Sequence, residues 1–450
     1  MELKNCRSIS DYLGRGFRCS CGHFHRSALE RVQVGPDAMK GLGELVREKG
    51  FSHVFLVADP NTWEAAGELA RDVLREAGAA CVCKILPSRE PVPDETSLGS
   101  LLMAVPAGTD LVVAVGTGTI NDCCKFLSFR MGLPYVVVAT APSMDGFASV
   151  GAALITDNLK TTYDAHVPLA IFADTGILSK APMEMIAAGV GDILGKYTCL
   201  CDWQMAHIIC GEYHCPQVEE MVRRSIRQVR DNLAGIPQRD PEAIQSVTEA
   251  LILTGIAMSF VGNSRPASGC EHHLSHYWEM QFLFQGRKPV LHGAKVGVGT
   301  VLALRMYESL MAEEPDFSRA LEEADRFDAA AWEEEMRRLY GPAADGVIRL
   351  ERRTGKNAPA GRRERLEVIR ARWEDIRGTA KKLLPPSEEV EELLRSLGAP
   401  VSPLDVGVDR EMTRDAIVAA KEVRNRYTLL QLLWDLGLSQ EMAEKMTASL

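Results

Sequence analysis

Five short apolar runs, separated by helical patterns, set the tightest limit on how this chain folds. They are VFLVA (Val54–Ala58), a stretch near Cys81–Leu86, LVVAV (Leu111–Val115), YVVVAT (Tyr135–Thr140) and a last strand-like run at Ala170–Ala173. Apart from the stretch near Cys81–Leu86, which carries Lys84, these runs suit strands buried on both faces, which are parallel strands. Between them, helical patterns run from about Thr62 to Ala77, with Gly78 at the C-cap position, and from Pro93 to Val105, opened by Asp94 or Thr96. Strand–helix alternation of this kind predicts a doubly wound parallel sheet, hence an α/β fold. From Met183 onward the pattern is helical throughout, interrupted at Pro216, Pro237, Gly262–Pro266, Gly286–Pro289, Gly341-Pro342, Pro385-Pro386 and Pro400–Pro403. The change falls near Asp174–Pro182. It divides the chain into an α/β domain at 1–180 and an all-helical domain at 181–450.

Composition narrows the function classes. At 450 residues, with 46% hydrophobic and 25% charged residues, the chain has an ordinary globular balance. A net charge of −10 leaves no basic footprint, so no nucleic acid partner is expected. The N-terminal MELKNCRSISDYLGRGF lacks a signal-peptide core, and no run reads as a membrane span. Twelve scattered cysteines suit a reducing, cytoplasmic setting better than a disulfide framework.

In doubly wound sheets, ligands lie beyond the carboxyl ends of the strands. Two loops occupy that position. Gly116-Thr-Gly118-Thr119-Ile120-Asn121-Asp122 follows a strand and opens a helix, so its N–H groups suit a pyrophosphate. The spacing is not G-x-G-x-x-G, and a tight strand-to-helix turn reads equally from these residues. Thr140-Ala141-Pro142-Ser143-Met-Asp145-Gly146-Phe-Ala-Ser149 ends the next strand and is rich in hydroxyls. Asp59, at the end of the first strand, is placed either to accept from a ribose or to cap the following helix.

A metal-ligand set emerges from the helical half. The run PMEMIAAGVGDILGKYTCLCDW (Pro182–Trp203) carries Asp192 and Lys196 one turn apart within an apolar stretch. A buried acid needs a cation, and either a metal or Lys196 supplies one. Downstream, His272 and His276 stand at i and i+4, and His292 opens LHGAKVGVGT. One carboxylate and two imidazoles make an open, three-ligand site for a divalent metal. Near the N-terminus, Cys19-Ser-Cys21-Gly-His23-Phe-His25 has metal-ligand residue types. No second Cys/His pair follows at zinc-finger spacing, so a hairpin with a glycine turn is expected instead. Ala312–Arg377 is densely charged with both signs and reads as solvated helices, with Arg352–Arg363 as a mobile surface loop.

The motifs GTGTIND (116–122), TAPSMDGFAS (140–149), GVGDILGKYT (189–198), SGCEHHLSH (268–276) and LHGAKVGVGT (291–300) resemble, in order, those of the sn-glycerol-1-phosphate dehydrogenases. These belong to the metal-dependent polyol dehydrogenase superfamily, alongside glycerol dehydrogenase and dehydroquinate synthase. The likeness is strongest to the bacterial arabinose-operon-associated branch. It covers about residues 17–305 and Arg424–Gly437. The resemblance implies a Rossmann-like domain followed by an all-helical one, with the active site in the cleft between them. It also implies a homodimer, and reversible hydride transfer between NAD(H) or NADP(H) and dihydroxyacetone phosphate.

By motif position, Asp192, His272 and His292 hold the metal. Gly118, Thr119, Ile120, Asn121, Asp122, Thr140, Ala141, Pro142, Ser143 and Ser149 contact the nicotinamide cofactor, and Asp59 its ribose. Asp145, Asp192 and His276 serve catalysis and touch the substrate. Iron-type relatives carry a histidine four residues after the aspartate. Here that residue is Lys196, which points to zinc or nickel in a three-ligand site and to a contact with a phosphorylated small molecule. Asp59 would repel a 2′-phosphate and so hints at NADH. The charged region at about 310–380 is longer than the family pattern leads one to expect.

Overall fold

The computed structural model describes all residues except 1–5, 7, 15, 157–158 and 449. Two compact units form, one from residues 1–193 with 216–264 and the other from 194–215 with 265–450. Among the described residues, strands are confined to the first.

In the first unit, a small antiparallel hairpin, β1 (Phe17–Arg18) and β2 (Phe24–His25), precedes the sheet strand β3 (Arg31–Gly35). Helix α1 (Lys40–Lys49) leads to β4 (His53–Ala58). A one-turn helix α2 (Pro60–Thr62), a π-helical turn and α3 (Glu68–Glu76) follow, realising the expected helix from Thr62. Then come β5 (Ala80–Ile85), α4 (Glu95–Ala104), β6 (Leu111–Gly116), α5 (Gly118–Met131) and β7 (Tyr135–Ala139). A second hairpin, β8 (Gly151–Thr156) with β9 (Leu159–Asp164), comes before β10 (Ala170–Asp174). The six-stranded sheet runs β3-β10-β7-β6-β4-β5, with every pairing parallel. All residues of β6 and β7 are buried, which is why they read as unbroken apolar runs.

Strand order reverses between β4 and β6, where Val57 pairs with Ala114. Asp59 and the Gly116–Gly118 turn therefore emerge side by side at the topological switch point, where doubly wound sheets hold ligands. The sequence pattern missed β3 because RVQVG is half-buried at the sheet edge and mixes polar with apolar residues.

Helices close this unit. Short α6 (Thr175–Leu178) leads into α7 (Met183–Leu194). Later, α9 (Pro216–Asn232) and α10 (Pro241–Val261) return to the sheet unit after α8 (Lys196–Cys210). By length and composition α10 could cross a bilayer, which the sequence reading had not anticipated. Yet 72% of its most apolar window is buried inside the protein, and its Ser246, Thr248 and Thr254 hydroxyls bond back to helix carbonyls at 2.7–2.9 Å. Its apolarity is that of a core helix.

The second unit is helical. Its core is built around α8, α11 (Cys270–Phe284) and α12 (His292–Met311). The charged region is more than a solvated surface. Met336, Tyr340, Ile348, Leu366, Ile369, Trp373 and Ile376 all enter that core. Its charges pair along the outer faces, as in Arg338–Glu335 at 2.7 Å and Arg319–Glu323 at 2.9 Å.

The expected mobile loop at 352–363 is instead pinned. Asn357 is fully buried and its N–H donates to Glu351 (2.8 Å), while Arg362 donates to the Asp435 carbonyl (3.1 Å). Gly355, at φ +60, ends one helix and Pro359 starts the next, so the polar composition marks a tight corner.

Candidate active site

Within the sheet unit, α5 starts at Gly118 directly after β6. Its N-cap residue, Thr117, makes no side-chain cap bond to the helix. Thr117 Oγ1 lies 2.7 Å from Ser143 Oγ instead, tying the two expected cofactor loops together. A Cβ built on Gly118 would meet nothing within 4 Å, so there is open space beside the start of α5, and helix N-termini suit anions. Asp59 caps α2: Thr62 N–H donates to its carboxylate, and its own N–H reaches Thr62 Oγ1, both at 2.9 Å. Burial raises its pKa against those bonds.

The remaining expected cofactor residues surround a group that the sequence reading overlooked, Lys125. Its fully buried ammonium donates to the carbonyls of Gly146 (2.8 Å) and Gly151 (3.0 Å) and to Ser149 Oγ (3.0 Å), and lies 3.4 Å from Asp122. Asn121 Nδ2 also donates to the Gly146 carbonyl, at 3.3 Å. Burial lowers the Lys125 pKa and raises that of Asp122, each against the attraction of the other. Lys125 thus fixes the turn after Asp145, and Asp122 and Ser149 belong to that scaffold. Ile120 is buried, and a Cβ at Gly116 would come within 2.8 Å of its Cβ. The sequence shows only a lone lysine in GTGTINDCCK, and its role comes from contacts with residues more than twenty positions away.

Asp145 and Asp192 come together in this unit. The Asp145 N–H donates to Asp192 Oδ2 at 3.0 Å, and both residues are buried. Their approach depends on Gly189. A Cβ there would stand 1.9 Å from the Pro142 carbonyl oxygen, so only glycine lets α7 lie against the Thr140–Ser149 loop. One helical turn later α7 presents Asp192.

In the helical unit, His272, His276 and His292 cluster. Ring centroids are 5.2 Å apart for His272–His292, 5.7 Å for His276–His292 and 6.1 Å for His272–His276. The i,i+4 pair on α11 meets the first residue of α12 because Gly299 lets the helices close; its Cβ would fall 2.8 Å from the Glu271 carbonyl oxygen. His272 Nδ1 lies 2.7 Å from Glu271 Oε1. With Glu271 ionised its carboxylate only accepts, so Nδ1 carries the proton and Nε2 keeps its lone pair for a cation.

Glu271 is itself held by Thr198 Oγ1 (2.6 Å) and the Gly269 N–H (2.7 Å). Burial, with Asp202 nearby, raises its pKa to about 7. Burial drives His272 well below the usual imidazole range, with Lys196, His292 and His276 adding to the shift. His276 is lowered to about 3, by burial first and Arg424 further, against the pull of Glu279. Neutral imidazoles are what a metal requires.

Two cations border the cluster. Lys196 is fully buried and donates to the Ala267 carbonyl at 3.1 Å. Arg424 Nη2 lies 3.3 Å from His276 Nε2, which accepts from it. Arg426 reaches the Ser268 carbonyl, also at 3.3 Å. Neither arginine was singled out from the sequence, since both lie about 150 residues beyond α11. Buried Asp202 anchors this framework, accepting from the N–H groups of Cys270 (2.6 Å) and Leu429 (2.8 Å) and from Tyr307.

The iron-containing alcohol dehydrogenase family profile matches residues 33–182. The NAD(P)+ glycerol-1-phosphate dehydrogenase of Halalkalibacterium halodurans is 35% identical over 419 residues, spanning 92% of this chain and 95% of that protein. The enzyme of the same name from Geobacillus stearothermophilus is 35% identical over 435 residues, spanning 96% and 98%. A crystal structure of 1,3-propanediol oxidoreductase shares the fold at a TM-score of 0.63 and 19% identity, over 94% of this chain and 98% of that one.

Proposed function

The chain belongs to the glycerol-1-phosphate dehydrogenase family, and from that premise we propose how its residues interconvert dihydroxyacetone phosphate and sn-glycerol 1-phosphate with NAD(P)H. The observation that carries the reading is His272, oriented by Glu271 to offer Nε2 beside the imidazoles of His276 and His292. Asp192, His272 and His292 hold one divalent metal, zinc or nickel, in a set with an open position. When bound, that cation supplies Lewis-acid polarisation of the ketone oxygen.

The protein's own groups do the rest. The first-turn N–H groups of α5, from Gly118, take the cofactor pyrophosphate, and the Thr140–Ser143 loop lies alongside it. Asp59 at the switch point faces the ribose and favours NADH over NADPH. Lys196 contacts the substrate phosphate, and Arg424 beside His276 adds a second positive charge. His276, neutral through the physiological range, and Asp145 pass the proton to and from the alcohol oxygen. Twelve cysteines outside disulfides fit a reducing cytoplasm, and no nucleic acid partner is assigned. The homodimer expected from the family resemblance is checked by sedimentation.

The test is NADH and NADPH oxidation by the metal-reconstituted protein with dihydroxyacetone phosphate against dihydroxyacetone. Turnover restricted to the phosphorylated ketone is expected. Equal turnover of both ketones would make the chain a polyol dehydrogenase of broader substrate range.

A further inference from the structure

The hairpin at the N-terminus does more than turn the chain. Between β1 and β2, the Cys19 N–H donates to the His23 carbonyl (2.9 Å) and the Gly22 N–H to the Cys19 carbonyl (3.0 Å). Gly22 takes φ +88, a conformation that glycine adopts without strain. This knuckle gathers Cys19, Cys21 and His25, each offering a ligand atom within 4.8 Å of the others. Cys21 Sγ stands 3.4 Å from His25 Nε2.

The imidazole is held as a metal ligand would be. His25 is fully buried, and its Nδ1 lies 2.8 Å from the Phe260 carbonyl oxygen near the end of α10. A carbonyl only accepts, so the proton sits on Nδ1 and the Nε2 lone pair faces the sulfurs. The rings of Phe17 and Phe260 flank it, with centroids 5.3 and 5.7 Å away.

The fourth donor lies far off in sequence. Gln217, in the first turn of α9, donates from Nε2 to the hydroxyl of Ser20 (2.8 Å), the residue between the two knuckle cysteines. The start of α9 is thereby fixed at the tip of the knuckle. Buried Cys215 is the residue immediately before that helix.

We propose that Cys19, Cys21, His25 and Cys215 bind one zinc ion, in a structural site separate from the catalytic one. Three thiolates and one imidazole favour zinc in tetrahedral geometry, and four protein ligands leave no position for substrate. The ion fastens the β1–β2 hairpin to α9 and α10. Neither helix end is near the hairpin in sequence, so the ion replaces packing that so short a segment cannot provide.

The test uses the full-length protein, purified without chelator and assayed for zinc by mass spectrometry. Zinc should persist at about one equivalent in Asp192→Asn, which empties the proposed catalytic site. It should fall below about a tenth of an equivalent at this knuckle when Cys19→Ser and Cys215→Ser are added to that variant. Because the added changes could unfold the hairpin, the Asp192→Asn protein is also loaded with cobalt(II). A thiolate-to-cobalt charge-transfer band with tetrahedral ligand-field absorption is expected. Loss of all zinc in Asp192→Asn, zinc unchanged by the cysteine substitutions, no thiolate–cobalt band, or an iron–sulfur chromophore would each overturn the proposal. None of these outcomes depends on turnover, so a failed dehydrogenase assay leaves the test intact.

Discussion

Replacing Gly189 with alanine tests whether one glycine contact sets the position of Asp192. The added Cβ would stand 1.9 Å from the Pro142 carbonyl oxygen, 2.9 Å from its carbon and 3.2 Å from Leu251 Cδ1. The first two are backbone atoms, and the ring of Pro142 fixes its φ, so the loop cannot yield as a flexible side chain would. Helix α7 must therefore retreat by on the order of 1 Å. Overpacking of this kind costs about 1–3 kcal/mol. In a unit of this size that lowers Tm by roughly 2–10 °C. The retreat also stretches the 3.0 Å bond from the Asp145 N–H to Asp192. A misplacement of about 1 Å in a catalytic array costs on the order of 10²-fold in rate. Differential scanning fluorimetry, metal titration and steady-state kinetics on Gly189→Ala should show all three losses, with kcat/KM falling more than the stability loss explains. A variant with native Tm, metal affinity and kcat/KM would refute the claim that this contact positions the acid.

Gly118→Ala places its methyl in open space, so Tm should hold while the Kd for NADH rises by about tenfold or more, measured by fluorescence titration. Glu271→Gln keeps the shape but weakens the hold on His272 Nδ1, so metal affinity should fall by roughly 10–100-fold in a chelator competition. Lys196→Ala should raise KM for dihydroxyacetone phosphate by roughly 10–100-fold with little change in cofactor affinity. Acid should destabilise the helical unit. His272, His273 and His276 are neutral when folded, with His276 lowered to about 3, but titrate near 6.5 unfolded. Below pH 6.5 the unfolded chain binds more protons, so stability drops as pH falls toward 3, by up to about 1.4 kcal/mol per pH unit for each imidazole. Glu271, raised to about 7, works the other way, as do Asp202, Glu351 and Asp415, whose carboxyls burial raises; Glu422, whose burial is outweighed by Lys421 and Lys356 so that it lies at about 2, adds to the loss in acid. Metal-free protein melted from pH 7 to 4 should show the net loss, and a flat profile would contradict it.

What the sequence made legible follows from periodicity. The buried strands β4, β6, β7 and β10 announced themselves as apolar runs, and the glycine-bearing loops at their carboxyl ends followed from strand–helix alternation. The i,i+4 spacing of His272 and His276 was equally visible. Groups acting through tertiary contact were not. Lys125 reads as an ordinary helix residue until the carbonyls of Gly146 and Gly151 converge on it. Arg424 meets His276 across 148 positions. The Arg352–Arg363 stretch looked mobile because several of its polar side chains find their partners in distant segments, Glu422 and Asp435 among them. The N-terminal knuckle lacked a fourth ligand in any local window because Cys215 lies almost two hundred residues away.

Anomalous diffraction at the metal absorption edge, from crystals of the metal-loaded protein, bears most directly on the proposed catalytic centre. A peak is expected about 2.0–2.2 Å from a carboxylate oxygen of Asp192, from His272 Nε2 and from a ring nitrogen of His292. A peak bound by other residues, or density at these three side chains with no metal between them, would contradict it.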